Sequence, residues 1–161
     1  MMVAYEPILI LMVIGFYLVN GNFQLQSVFD SQRPLLLSMP LLFLAYLSVV
    51  MIKFQKSPFD LATSHHAHQE IVKGLTLEFA GPYLGVIEIA HCYEAAFFLG
   101  LVGLFWVGNL WVASALMAVV FVVSLVVDNL CARLTTTWMF RFMWTVALGL
   151  ALTNIVWLYW R

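Results

Sequence analysis

Charge is scarce in this 161-residue chain: Asp, Glu, Lys and Arg make up 9% of it, where a soluble domain carries about a quarter. Seven Lys and Arg against eight Asp and Glu leave a formal net charge of −1, without the basic patch that nucleic-acid binding requires. DNA and RNA are therefore not expected partners. Cysteine is equally sparse. Cys92 and Cys131 lie in or beside apolar runs, lack metal-ligand spacing, and alone can form neither a disulfide framework nor an iron–sulfur site. They read as small packing residues. A basic leader and a small-residue cleavage site are also missing, and the first apolar run, carrying Glu6 and Pro7, does not read as a signal peptide. Starting so abruptly on a helix, the chain reads as the C-terminal part of something larger.

Apolar residues abound, at 64% of the chain, with a mean hydropathy of +0.99. A helix needs about 20 mostly apolar residues to cross a bilayer. Five runs qualify: 3–19, 35–53, 82–106, 110–131 and 137–160. They are apolar all round, as bilayer spans are and amphipathic surface helices are not. Asn20-Gly21-Asn22, Arg33-Pro34, Gly81-Pro82 and Gly108-Asn109 punctuate them. The predicted fold is an all-α integral membrane protein of five transmembrane helices, one helical domain over residues 1–161, with a polar loop between the second and third helices. Pro40 is the one mid-span breaker. Trp106, Trp111, Trp138, Trp157 and Trp160 sit near span ends, where indole suits the interface.

An odd number of spans puts the termini on opposite sides. Lys53, Lys56, Lys73, Arg133 and Arg141 fall on one side, against Arg33 and Arg161 on the other. The positive-inside rule then places the polar loop and the N-terminus in the cytoplasm and the C-terminus outside.

The ionisable groups are not spread evenly. Asp60, His65, His66, His68, Glu70, Lys73 and Glu78 crowd the loop between Ser57 and Gly81. The third span adds Glu88, His91, Cys92 and Glu94, in the pattern Glu-x-x-His-Cys-x-Glu. Placing Arg, Lys or Asp at the centre of a span costs about 2.5–3.5 kcal/mol on insertion scales, so such groups need a reason. Residues three apart on a helix are neighbours, which lets Glu88, His91 and Glu94 pass protons directly or through water. Simple packing near the helix end is the bland alternative. Glu-x-x-His is half of a di-iron bundle motif, but no second copy occurs. The three loop histidines lack the distal Cys or His of a closed zinc site. They are either solvated or line a water-filled entrance. Glu6 fits a helix N-terminus, Asp128 can pair locally with Arg133, and Asp60 follows Ser57-Pro58-Phe59 in a turn-forming pattern.

Pro58-Phe59-Asp60-Leu61, then Glu70-Ile71-Val72-Lys73-Gly74 and Glu78-Phe79-Ala80-Gly81, resembles the signature connection of the subunit 1 family of respiratory complex I and its hydrogenase relatives. Val3-Ala4-Tyr5-Glu6 is similar to that family's Ile-Ser-Tyr-Glu. Asp128-Asn129 with Ala132-Arg133 resembles the end of the penultimate helix in the hydrogenase branch. The chain matches the last five helices of an about eight-helix family. Its histidine-bearing stretch Thr63–Glu70 replaces the usual acidic run and looks like the energy-converting group 4 nickel–iron hydrogenases.

The resemblance implies a membrane-anchor and ion-translocation subunit in the cytoplasmic membrane of a bacterium or archaeon, with no redox centre of its own. Expected partners are the hydrogenase small and large subunits, a ferredoxin-like iron–sulfur subunit, an antiporter-like membrane subunit and the lipid bilayer. The 4Fe-4S clusters and Ni-Fe centre would lie in those partners. An H⁺ or Na⁺ path would use Glu6, Glu70, Glu78, Glu88, His91, Glu94 and Asp128. Pro58, Phe59, Asp60, His65, His66, His68, Lys73 and Arg133 would meet the peripheral arm. The alternatives are the quinone-site subunit of a complex I-like NADH dehydrogenase, and a stand-alone five-span carrier.

Overall fold

The computed structural model describes residues 2–24, 26, 28–29, 34–54, 81–132 and 134–160. The described residues are mostly helical, with no strand among them. Helix α1 spans Met2–Asn20. Gly21 follows at φ 75°, and its N–H donates to the Tyr17 carbonyl at 2.7 Å, closing the helix with the left-handed residue that glycine adopts without strain.

The second apolar run folds as two pieces, α2 (Leu35–Ser38) and α3 (Pro40–Lys53), rather than as the continuous span expected over 35–53. Met39 stands between them at φ −135° and ψ 56°. The proline ring disfavours helical geometry in the residue before it, while Pro40 itself suits the first position of the new helix. Next comes α4, Pro82–Gly103, extended by a 3-10 turn over Leu104–Trp106. Asn109 caps α5 (Leu110–Leu130), its side chain accepting from the Trp111 N–H at 3.0 Å. The last run is α6 (Thr136–Phe142), a π turn over Met143–Ala147, and α7 (Leu148–Trp160).

Among the described residues, three helices, Pro82–Trp106, Leu110–Leu130 and Thr137–Trp160, are long and apolar enough to cross a membrane; Tyr5–Asn20 and Pro40–Lys53 are shorter apolar helices. The all-α membrane-protein architecture expected from the sequence is thus the one observed.

Helices α1 and α3 both pack on α7 and on each other, α4 joins through α3, and α5 lies against α4. Ile8, Leu42, Ala45, Val49, Met143 and Ala151 are buried where the first three meet. α1 approaches closely because Gly15 has no side chain: a Cβ there would meet Met39 Sδ at 2.9 Å and Leu42 Cδ2 at 3.2 Å. Phe105, in the 3-10 turn, joins the groups. It is fully buried and meets Phe43 edge-on at 5.0 Å, Phe16 edge-on at 5.5 Å, and Tyr46 at 5.9 Å. One ring therefore ties α1, α3 and α4 together by its apolar area and its edge-to-face contacts.

By contrast, α4 and α5 leave Tyr83, Val86, Tyr93, Phe97, Val119 and Val122 exposed. Such apolar faces suit hydrocarbon or further helices. Truncating Phe105 to Ala is expected to destabilise the chain by about 3–5 kcal/mol, and truncating exposed Phe97 by less than about 0.5 kcal/mol. Thermal unfolding of both variants in mild detergent checks the contrast.

Candidate functional site

The site begins where α4 starts. Gly81 takes φ 60°, which turns the chain into the helix, and Pro82 occupies its first position. From there the 3.6-residue period brings Glu88, His91, Cys92 and Ala95 onto one flank of α4. That flank lines a cavity of about 370 Å³ together with Lys53 and Phe54 at the end of α3. Phe121, Ser124 and Leu125 of α5 form the opposite wall. Ser124 is buried, and its hydroxyl donates to the Phe121 carbonyl at 2.7 Å within its own helix.

Lys53 is the centre of this arrangement. Its ammonium forms an ion pair and hydrogen bond with Glu94. The same Nζ lies 4.3 Å from the centroid of the Tyr5 ring and 4.9 Å from that of Phe98. Both are cation–π distances. Residues from α1, α3 and α4 thus converge on one cation whose side chain is 13% exposed. Glu94 stands twelve residues from either end of Pro82–Trp106, at the middle of the helix. A carboxylate there needs a counter-charge, and Lys53 supplies it. The position of Lys53 as the last residue of α3 also suits the negative end of that helix's dipole.

His91 Nδ1 lies 4.0 Å from Glu94 Oε2, as the three-residue spacing predicts, and its side chain is 54% exposed. Two turns back from Lys53, the Tyr46 hydroxyl donates to the Phe98 carbonyl at 2.7 Å. This long-range bond sets the height of α4 against α3, and with it the level of Glu94 against Lys53.

Of the residues expected on an ion path, the structure brings Glu88 and His91 to the cavity, and sets Glu94 beside it through Lys53 and His91. Asp128 is partly buried, and its spacing puts it one turn beyond Ser124 and Leu125 on the cavity side of α5. Glu6 is exposed on α1 and does not line the cavity, although its neighbour Tyr5 reaches Lys53. Glu70 and Glu78 lie outside the described residues, as do Pro58, Phe59, Asp60, His65, His66, His68, Lys73 and Arg133.

Both cysteines are exposed, contrary to the packing role expected of them. The reason at Cys92 is its place on the cavity flank. Sequence reasoning weighed Lys53 only as a topology charge and passed over Tyr46. An ionisable residue closing an apolar run was the signal available for Lys53; nothing local pointed to Tyr46.

A polytopic helical membrane protein with a cleft of paired ionisable groups is the class that this geometry defines. The family model described as NADH dehydrogenase matches residues 1–159, and the chain belongs to that family. It is similar to the H-type subunit of the NADH-quinone oxidoreductase of Dehalococcoides mccartyi, with 26% identity over 96% of this chain and 45% of the relative. The corresponding NADH-quinone oxidoreductase subunit of Geobacillus kaustophilus is 29% identical over 96% of this chain and 50% of its own length. The NADH-ubiquinone oxidoreductase chain 1 of Myxine glutinosa is 27% identical over 66% of this chain and 33% of its own. The chain spans about half the length of the bacterial relatives it matches. No solved structure gives a significant match. These relatives favour the complex I alternative over the hydrogenase expectation drawn from the histidine-bearing stretch.

Tyr46→Phe removes the hydroxyl that bonds across helices. The variant is expected to lose about 0.5–1.5 kcal/mol of stability, read by thermal unfolding in detergent.

Proposed function

We propose that this chain is a membrane-embedded part of an NADH-quinone oxidoreductase-like complex, in which the Lys53–Glu94 cleft carries ions between the cytoplasmic connection and the membrane interior. The observation that carries this reading is the gathering of Lys53, Glu88 and His91 around one cavity, with Glu94 paired to Lys53 at its edge, in a chain whose family match runs almost end to end. Electron carriers, including iron–sulfur clusters, belong to peripheral partners, and this chain supplies the membrane side of the coupling. The exposure of His91 and Glu88 on a helix long enough to cross a bilayer supports membership of a larger assembly. Ionisable groups at that depth are tolerated when they face protein or water rather than lipid. The connection faces the cytoplasm by the excess of Lys and Arg on its side.

An energy-converting hydrogenase is the second reading, favoured by Thr63–Glu70 with its three histidines. Purification in mild detergent through a tag on this chain separates the two. Iron and flavin with bound quinone and no nickel are expected; stoichiometric nickel would favour the hydrogenase, and a lone metal-free chain would contradict both.

Within the intact complex, Glu88→Gln or Glu94→Gln is expected to lower ion translocation per electron by about tenfold or more. Electron transfer to an artificial acceptor should change by less than about twofold, because no electron passes through these residues. Parallel assays on reconstituted liposomes make the comparison, and equal loss of both activities would mark a structural role.

A further inference from the structure

We propose that Lys53 is a positioning residue for this path, a tethered counter-ion that holds Glu94 as a carboxylate at mid-helix and turns toward Glu88 when Glu94 takes a proton. The inference rests on the ion-path reading and assigns a part to a residue outside the carboxylate and histidine series.

Three observations carry it. The Lys53 ammonium is paired with Glu94 and also sits over the faces of Tyr5 and Phe98. Attraction to the ring faces does not depend on the charge of Glu94, so the cation remains held in the cleft, free to turn within it, when its counter-charge is neutralised. Second, Lys53 and Glu88 line the same cavity, so another carboxylate borders the space into which the flexible four-carbon stem can turn. Third, His91 Nδ1, at 4.0 Å from Glu94 Oε2, is placed to exchange a proton with that carboxylate.

Transfer of a proton from the His91 imidazolium to Glu94 leaves a neutral imidazole and a neutral carboxylic acid. The proton count is unchanged and Lys53 stays an ammonium, now without its partner. Among the described residues, the charged and titratable groups around it are Tyr5 from α1 and Glu88, His91, Cys92 and Glu94 from α4, with Asp128 one turn beyond the cavity wall on α5. The two resting places of one cation are two arrangements of the cleft with different proton affinity, which coupling requires.

The test uses the whole complex, carrying the full chain, in liposomes. Lys53→Met, Lys53→Arg, Glu94→Gln and the double variant Lys53→Met/Glu94→Gln are compared for ion translocation per electron, electron-transfer rate and the infrared carboxyl stretch. Lys53→Met is expected to lower translocation about tenfold and to add a protonated-carboxyl band that disappears in the double variant. Lys53→Arg should show no such band and should translocate within about threefold of the parent, since a guanidinium keeps both the charge and the ring contact. The double variant should assemble and still not translocate. Full translocation by the double variant would make the pair a structural clamp and overturn the proposal. Normal translocation by Lys53→Met beside a defective Glu94→Gln would overturn it while leaving the ion path intact. Normal translocation by both single variants would defeat the ion-path reading itself.

Discussion

A cation and a carboxylate at the depth of a bilayer are each costly, and they become tolerable when each is the other's counter-charge. The Lys53–Glu94 pair meets that condition across 41 residues of sequence, and the geometry around it follows from the need to keep it matched. α3 ends at Lys53, so the ammonium emerges at the helix terminus. α4 enters through Gly81 and Pro82 and carries Glu94 to the same level. The Tyr46 hydroxyl on the Phe98 carbonyl holds that level two turns away. Sliding either helix by one turn would separate the charges by about 5.4 Å, which no rearrangement of apolar side chains could offset.

The aromatic residues serve the same matching. Phe105 binds α1, α3 and α4 below the cleft, and Tyr5 and Phe98 frame the ammonium within it. Apolar packing and the polar centre are therefore one construction. The membership of the NADH dehydrogenase family extends over the whole of this construction, from α1 to α7. α4 and α5, exposed along most of their length, present an apolar side suited to hydrocarbon or to further helices.

Much of the fold was legible in the sequence. The predicted spans 3–19, 82–106 and 110–131 correspond to Met2–Asn20, Pro82–Trp106 and Leu110–Leu130 within a residue or so. Apolar length and turn chemistry are local, and Gly21, Gly81 and Asn109 announced their helix ends by residue type. The break at Met39 was half legible, since Pro40 was visible as a breaker but the separation of α2 was not foreseen. The π turn at Met143–Ala147 had no sequence signal that we could name. At the site, the His91–Glu94 neighbourhood followed from helical spacing alone. Its pairing with Lys53 did not, because apolar spans of low amphipathicity do not reveal which flanks will meet. Cys92 was misread for the same reason: its flank borders a cavity rather than a core.

An ion path along Lys53 and Glu94 requires the cleft beside them to be hydrated and screened from lipid. Power-saturation EPR measures this directly, with a nitroxide on Cys92 in a Cys131→Ser chain, within the assembled complex in bilayers. Relaxation by a water-soluble nickel chelate in preference to oxygen is expected, with the opposite preference for a label placed at exposed Phe97. A Cys92 label that responds to oxygen as strongly as the Phe97 label would show the cleft to be open to hydrocarbon, and so no ion path.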